Sequence, residues 1–192
     1  PFHAPPFDKI KDEDFQPAIQ EGMKEQLAEI DKIAGNPDAP TVENTLVPLE
    51  KSGRLLDRTT RIFDALTSAN TDDALQAVQQ EVAPKLAAHH DAIYLNDKLF
   101  QRIKTIYNKL DQLDLDPETH RLVEYYHQEF VHAGANLSDA EKTQLKKLNE
   151  EEASLSTQFE KRLLDGTKEG ALVVDDKAEL KGLSPAEIEA AS

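Results

Sequence analysis

Residues 138–166 read SDAEKTQLKKLNEEEASLSTQFEKRLLDG. Ser138 followed three residues later by Glu141 is a capping box, in which each residue satisfies a free backbone donor of the other at a helix start. Leu145, Leu148, Glu152, Leu155, Phe159 and Leu163 then recur at heptad-like steps, which line one face of a single long helix as far as Gly166. Spacing of this kind predicts lengthwise packing on other helices. It sets the fold class as all-α.

The same signals recur on the N-terminal side. A helix is predicted from Asp116-Pro117-Glu118 through Leu122, Tyr125, Tyr126 and Phe130 to Gly134, and another after Asn96 and Asp97 through Leu99, Ile103, Ile106, Tyr107 and Leu110. A third follows Thr71, with Asp72 and Asp73 in its first turn where carboxylates suit the dipole, Leu75, Val78, Val82, Leu86 and Ile93 as its stripe, and a bend expected at Pro84. Another opens after Pro40 with Thr41 as its N-cap and keeps a seam through Leu46, Leu49, Gly53, Leu56, Thr60 and Phe63. Pro48 should kink its first turns or delay the regular helix. The first helix is placed after Pro17, in the N1 position, with Ile19, Met23, Leu27, Ile30 and Ala34 on one face and Gly35-Asn36-Pro37 as its stop. The expectation is about six helices, several long and roughly antiparallel, in a helical domain over residues 1–170 whose seams pair with one another.

Past Gly170 the character changes. Ala171-Leu172-Val173-Val174 is β-prone and predicts a short extended segment, which as a lone strand would lack a partner. Ser184-Pro185-Ala186-Glu187 is a second capping box announcing a helix of only about two turns. Residues 171–192 are therefore read as an extended segment and truncated helix at the end of an excised N-terminal piece. Residues from about Gly170 onward are expected to be disordered or packed on a neighbour, Leu172, Val173, Val174 and Ile188 above all, with self-association through these apolar edges.

Composition restricts the function classes. The 192 residues carry 22 Lys plus Arg against 37 Asp plus Glu, a net charge of −15. A phosphate backbone or an anionic membrane needs a cationic face, so neither nucleic acid nor membrane is an expected partner. With no Cys, disulfide and thiolate chemistry are excluded, and the cytoplasm is the expected compartment. No basic and apolar leader and no run of 18 apolar residues is present.

The search for chemistry returns little. Glu124-Tyr-Tyr-His127 and Glu129-Phe-Val-His132 match the Glu-x-x-His spacing of di-metal bundles, but that chemistry needs the motif on two facing helices. Here both copies lie on one helix, five residues or roughly 500° apart. His89-His90-Asp91 places neighbouring imidazoles roughly 100° apart, which is poor for chelation. Ser154 and Ser156 have no base at helical spacing, and no glycine-rich phosphate loop occurs. Asn136-Leu137-Ser138 matches a glycosylation sequon and is read as a helix cap. Glu150-Glu151-Glu152 lacks the alternating ligands of a calcium loop and is read as a solvated face. No catalytic, cofactor-binding or metal-ligating residue is assigned.

Seven strings, in order, carry a resemblance: FDKIKDEDFQPAIQEGM (7–23), NPDAPTVENTLVPLEKSGRLL (36–56), LTSANTDD (66–73), HDAIYLNDKLFQRI (90–103), RLVEYYHQEFVHAGANL (121–137), LNEEEASLSTQFEKRLL (148–164) and ALVVDDKAELKGLSPAEIEAA (171–191). Together they resemble the N-terminal region of the M3 family of zinc metallopeptidases, in its bacterial dipeptidyl carboxypeptidase (peptidyl-dipeptidase) branch. Val42 and Pro48 depart from the family pattern, which has an aromatic residue and a small helix former there. The resemblance implies two helical halves around a channel and zinc held by a downstream H-E-x-x-H helix and a further Glu. None of those ligands has a counterpart here. It implies a parent enzyme that removes C-terminal dipeptides from oligopeptides with a zinc-bound water, this chain being a non-catalytic part of its channel wall, inactive alone and partnered by its own catalytic domain. The other reading is a free-standing acidic helical module that binds a protein partner through a long seam.

Overall fold

A computed structural model describes residues 5–174 and 176–190; His3, Asp175 and the end of the chain at residues 191–192 lie outside the described residues. Among the described residues the chain is all-α, with no strand. Its elements are α1 (Asp12–Ala34), a π-helical turn (Val42–Leu46), α2 (Val47–Glu50), α3 (Arg54–Ala69), α4 (Asp73–Tyr94), α5 (Asp97–Tyr107), a 3₁₀ turn (Leu110–Gln112), α6 (Pro117–His132), α7 (Asp139–Glu169), a second 3₁₀ turn (Lys177–Leu180) and α8 (Pro185–Ala190). The chain divides into two compact units, Pro1–Gln158 and Phe159–Ser192.

Local signals place most helix starts. Thr41 Oγ1 accepts from Asn44 N at 3.2 Å, Asp72 Oδ1 from Leu75 N at 2.8 Å, Asn96 Oδ1 from Leu99 N at 3.1 Å and Asp116 Oδ1 from Glu118 N and Thr119 N at 3.0 Å. Ser138 and Glu141 form the expected reciprocal cap, and Ser184 and Glu187 repeat it before α8.

Three expectations are corrected. Pro17 lies inside α1, which begins at Asp12. Asp12, Glu13 and Asp14 occupy the first turn, and Asp14 Oδ2 accepts from Lys11 N at 2.9 Å. Those contacts, with the burial of Phe15, offset the one backbone donor that Pro17 lacks. The seam predicted from Thr41 to Phe63 is divided: Pro48 stands in the first turn of α2, and Gly53 at φ +70° breaks the run before α3. The helix after Asn96 ends at Tyr107, with Leu110 in the 3₁₀ turn. Ala171–Val174, read as an extended segment, carries no regular secondary structure.

Within the first unit, α1 runs antiparallel to α3, since Phe15 meets Phe63 with ring centroids 5.2 Å apart while Gln26 meets Ser52 at the other end. Gly22 permits this approach: a Cβ there would stand 2.8 Å from the Leu56 backbone. Phe15, Ile19, Leu56, Phe63, Leu75 and Val82 form one core. The second core gathers Ile30, Leu46, Leu99, Phe100, Ile103, Val123 and Phe130, and Phe100 stacks on Phe130 with planes 6° apart. Each such fully buried side chain contributes about 1.5–3 kcal/mol.

The helix that decides the fold class packs unexpectedly. Lys142 and Thr157 of α7 are buried, Lys142 pairing with Asp97 of α5. Asn149 Nδ2 donates to Asp91 Oδ1 of α4 at 2.8 Å. Leu148 and Leu155, expected to seat an internal seam, are more than half exposed at 55% and 56%. At 100° per residue the two sets lie roughly a quarter to half a turn apart. α7 docks by its polar face.

Candidate functional site

In the first unit, a cleft of about 600 Å³ lies between α1, the α2–α3 turn, α4 and α6. On its α6 side, Tyr126 Oη donates to Glu50 Oε1 at 2.8 Å. Burial, and then this bond to Glu50, push the Tyr126 phenol far up; burial also raises Tyr94 beside it. Both remain neutral hydroxyls at any physiological pH. Arg54 opens α3 on the rim, and Arg61 is held by Asp57 at 2.8 Å. A second cleft of about 590 Å³ shares Glu50 and adds Glu118, Arg121 and Tyr125. Phenols, guanidinium groups and carboxylates thus line the two clefts. They include no nucleophile with a base beside it.

The far wall is a relay. His89 Nε2 lies 2.7 Å from Gln26 Oε1, Gln26 Nε2 donates to Ser52 Oγ at 3.4 Å, and Ser52 Oγ donates to Leu49 O at 2.8 Å. Glu29 Oε2 accepts from Gly53 N at 2.8 Å. The turn that shapes the cleft is thus held from α1. With the Gln26 oxygen facing it, His89 carries its proton on Nε2, and its buried Nδ1 has no partner. Burial, then His90, lower its pKa.

The residues weighed for metal chemistry are dispersed. Glu124 pairs with Arg121 at 3.0 Å, whereas His127 stacks on Tyr107 with centroids 3.8 Å apart. His90 stacks on Tyr94 at 4.3 Å while the adjacent His89 turns to Gln26. Ser156 Oγ donates to Glu152 Oε1 at 2.9 Å. Among the described residues, no three His, Asp or Glu side chains come together as a metal site. Zinc does not fit the His, Asp and Glu groupings found among the described residues.

Sequence reasoning missed Arg102. It is 6% exposed, and its guanidinium donates to Thr45 Oγ1 at 3.2 Å, Asn36 O at 2.8 Å, Asp38 O at 3.0 Å and Asn44 Oδ1 at 2.8 Å. This fork ties the loop before α2, and with it one end of the cleft, to α5. An arginine between Leu99 and Ile103 on the apolar face of α5 was the available signal.

Comparison with known proteins adds what geometry does not. The chain is 47% identical over 98% of its length to dipeptidyl carboxypeptidase of Escherichia coli K12 and 46% identical over all of it to the Salmonella typhimurium protein of that description. This chain resembles dipeptidyl carboxypeptidases from end to end. It spans 28% of the length of either relative, consistent with an N-terminal region of an M3 peptidase. Organellar oligopeptidase A of Arabidopsis thaliana is 27% identical over 96% of the chain, which covers 23% of that protein. No protein-family profile matches. No helix among the described residues is long and apolar enough to cross a membrane.

Proposed function

We propose that this chain is the non-catalytic, N-terminal helical portion of a cytoplasmic zinc peptidyl-dipeptidase that removes C-terminal dipeptides from oligopeptides, and that it builds part of the substrate channel wall. The observation that carries this reading is the pair of identities near one half over the whole chain, against proteins of which it spans 28%. The absence of a ligand constellation among the described residues is compatible with the zinc being held by the remaining polypeptide. Within the chain, the Tyr126–Glu50 cleft is the wall we assign to peptide contact, through neutral phenol donors and the Arg54 cation.

The test is dipeptide release from an N-terminally blocked oligopeptide. A polypeptide that extends this chain to the length of its relatives should release C-terminal dipeptides and lose that activity to a zinc chelator. The 192-residue chain alone should release none. A relative-length protein without activity, or a pure 192-residue chain with it, would overturn the reading. Tyr126→Phe in the long protein should raise KM with little change in kcat if the cleft touches peptide before the transition state.

A further inference from the structure

The α2–α3 turn and its flanks supply Leu49, Glu50, Ser52, Gly53 and Arg54 to the Tyr126–Glu50 cleft. The turn has little of its own to fix it: Gly53 stands at φ +70° and gives α3 no side-chain cap, and glycine is the residue with most backbone freedom to lose. What fixes it reaches in from α1. Gln26 and Glu29 lie three residues apart on one helix face, Glu29 Oε2 accepting from Gly53 N at 2.8 Å and the Gln26 amide donating to Ser52 Oγ at 3.4 Å. The same amide occupies the space beside Gly53, where a Cβ would come within 2.4 Å of it. His89, buried on α4, orients that amide through the 2.7 Å contact of its Nε2 with Gln26 Oε1. Protons then run one way, from His89 to the Gln26 oxygen, from the Gln26 nitrogen to Ser52, and from the Ser52 hydroxyl to Leu49 O. An amide accepts at one end and donates at the other, which neither a carboxylate nor a hydrocarbon of its size does.

We infer that Gln26, oriented by His89, is a positioning residue for peptide binding: it holds the α2–α3 turn so that Glu50, bonded to Tyr126, and the Arg54 cation line the cleft in fixed places. A turn left free would have to be ordered when peptide binds, and that ordering would be subtracted from the affinity. The inference rests on the reading that this cleft contacts peptide, and it adds which side chains hold the contacting groups ready.

The probe is an N-terminally blocked oligopeptide, bound to a polypeptide of the relatives' length with zinc chelated so that binding is read without cleavage. Gln26→Met keeps the volume and removes both polar ends; it should weaken binding about 3- to 10-fold, the worth of a net hydrogen bond. His89→Leu should do the same, and His89→Gln, which returns an N–H donor to the Gln26 oxygen, should recover most of the loss. Gly134→Ala, strained at φ +101° but lining neither cleft, controls for simple loss of stability and should leave the dissociation constant unchanged. In the 192-residue chain, Gln26→Met should speed amide exchange at Ser52 and Gly53 relative to α5. Binding by Gln26→Met as tight as the parent's overturns the inference, as do equal weakening in Gly134→Ala, a His89→Gln variant no better than His89→Leu, or unchanged exchange at Ser52 and Gly53. Dipeptide release with zinc restored judges the functional reading separately. A protein that binds peptide through this relay but releases no dipeptide defeats that reading alone; one that releases dipeptides while its dissociation constant ignores these variants defeats only the inference; a parent that binds no peptide defeats both.

Discussion

Asn44 Oδ1 stands 2.8 Å from Arg102 Nη2, and that oxygen also accepts from Thr41 N at 2.9 Å and from Thr45 Oγ1 at 2.9 Å. Asn44 Nδ2 donates to Ala39 O at 2.9 Å. One amide therefore closes a cap, a loop and a buried guanidinium whose four acceptors are all uncharged groups.

Arg102→Met should destabilise the chain by about 2–4 kcal/mol, since it removes a buried charge and strands several acceptors together. Arg102→Lys should recover little of this, because an ammonium cannot present the same planar fork. Urea unfolding followed by circular dichroism measures both; a lysine variant as stable as the parent would contradict the assigned role.

Two glycines should resist alanine for different reasons. At Gly22 the new methyl would press on Leu56 backbone atoms 2.8 Å away, and overpacking at a helix crossing costs about 1–3 kcal/mol. At Gly53 it would meet the Gln26 amide at 2.4 Å with φ at +70°, a region that costs an L-residue about 1–2 kcal/mol. Thermal melts should place both below Gly166→Ala, where nothing stands within 4 Å.

Asn149→Ala should cost about 1–3 kcal/mol, because it removes the amide donor from Oδ1 of the 3%-exposed Asp91 carboxylate, whose Oδ2 has no hydrogen-bond partner among the described residues. Leu148→Ala, one residue away on the exposed face, should change stability by less than about 0.5 kcal/mol in the 192-residue chain. The reverse order would mean that α7 docks by its apolar stripe after all.

His89 links stability to pH. Its folded pKa lies below the ordinary value near 6.5, so the unfolded chain binds the proton more readily. The contribution is fully present above about 6.5 and is lost as pH falls from there through the folded pKa. His127, lowered by burial and then by Lys104, acts in the same direction. The thermal midpoint should fall between pH 7.5 and 5, and His89→Gln should flatten that fall relative to its own value at pH 7.5.

The starts of α4, α5, α6, α7 and α8 were legible in the sequence, because a cap is a contact between residues two or three positions apart and any chain carrying it folds that turn the same way. The all-α class followed from the stripes at steps of three and four. The start of α1 was misjudged because Pro17 has a familiar place at N1, and only the burial of Phe15 with the acidic first turn explains why the helix begins earlier. The candidate cleft was not legible: Tyr126 and Glu50 are separated by 76 residues, His89 and Gln26 by 63, and Arg102 and Asn44 by 58. The sequence by itself determined that residues 138–166 would be helical and which of their side chains would form an apolar stripe, and the helix runs on to Glu169. Tertiary structure alone decided that the stripe faces outward, because the partners that hold the other face, Asp97 and Asp91, bind Lys142 and Asn149 by hydrogen bonds and charge across distances that no local periodicity records.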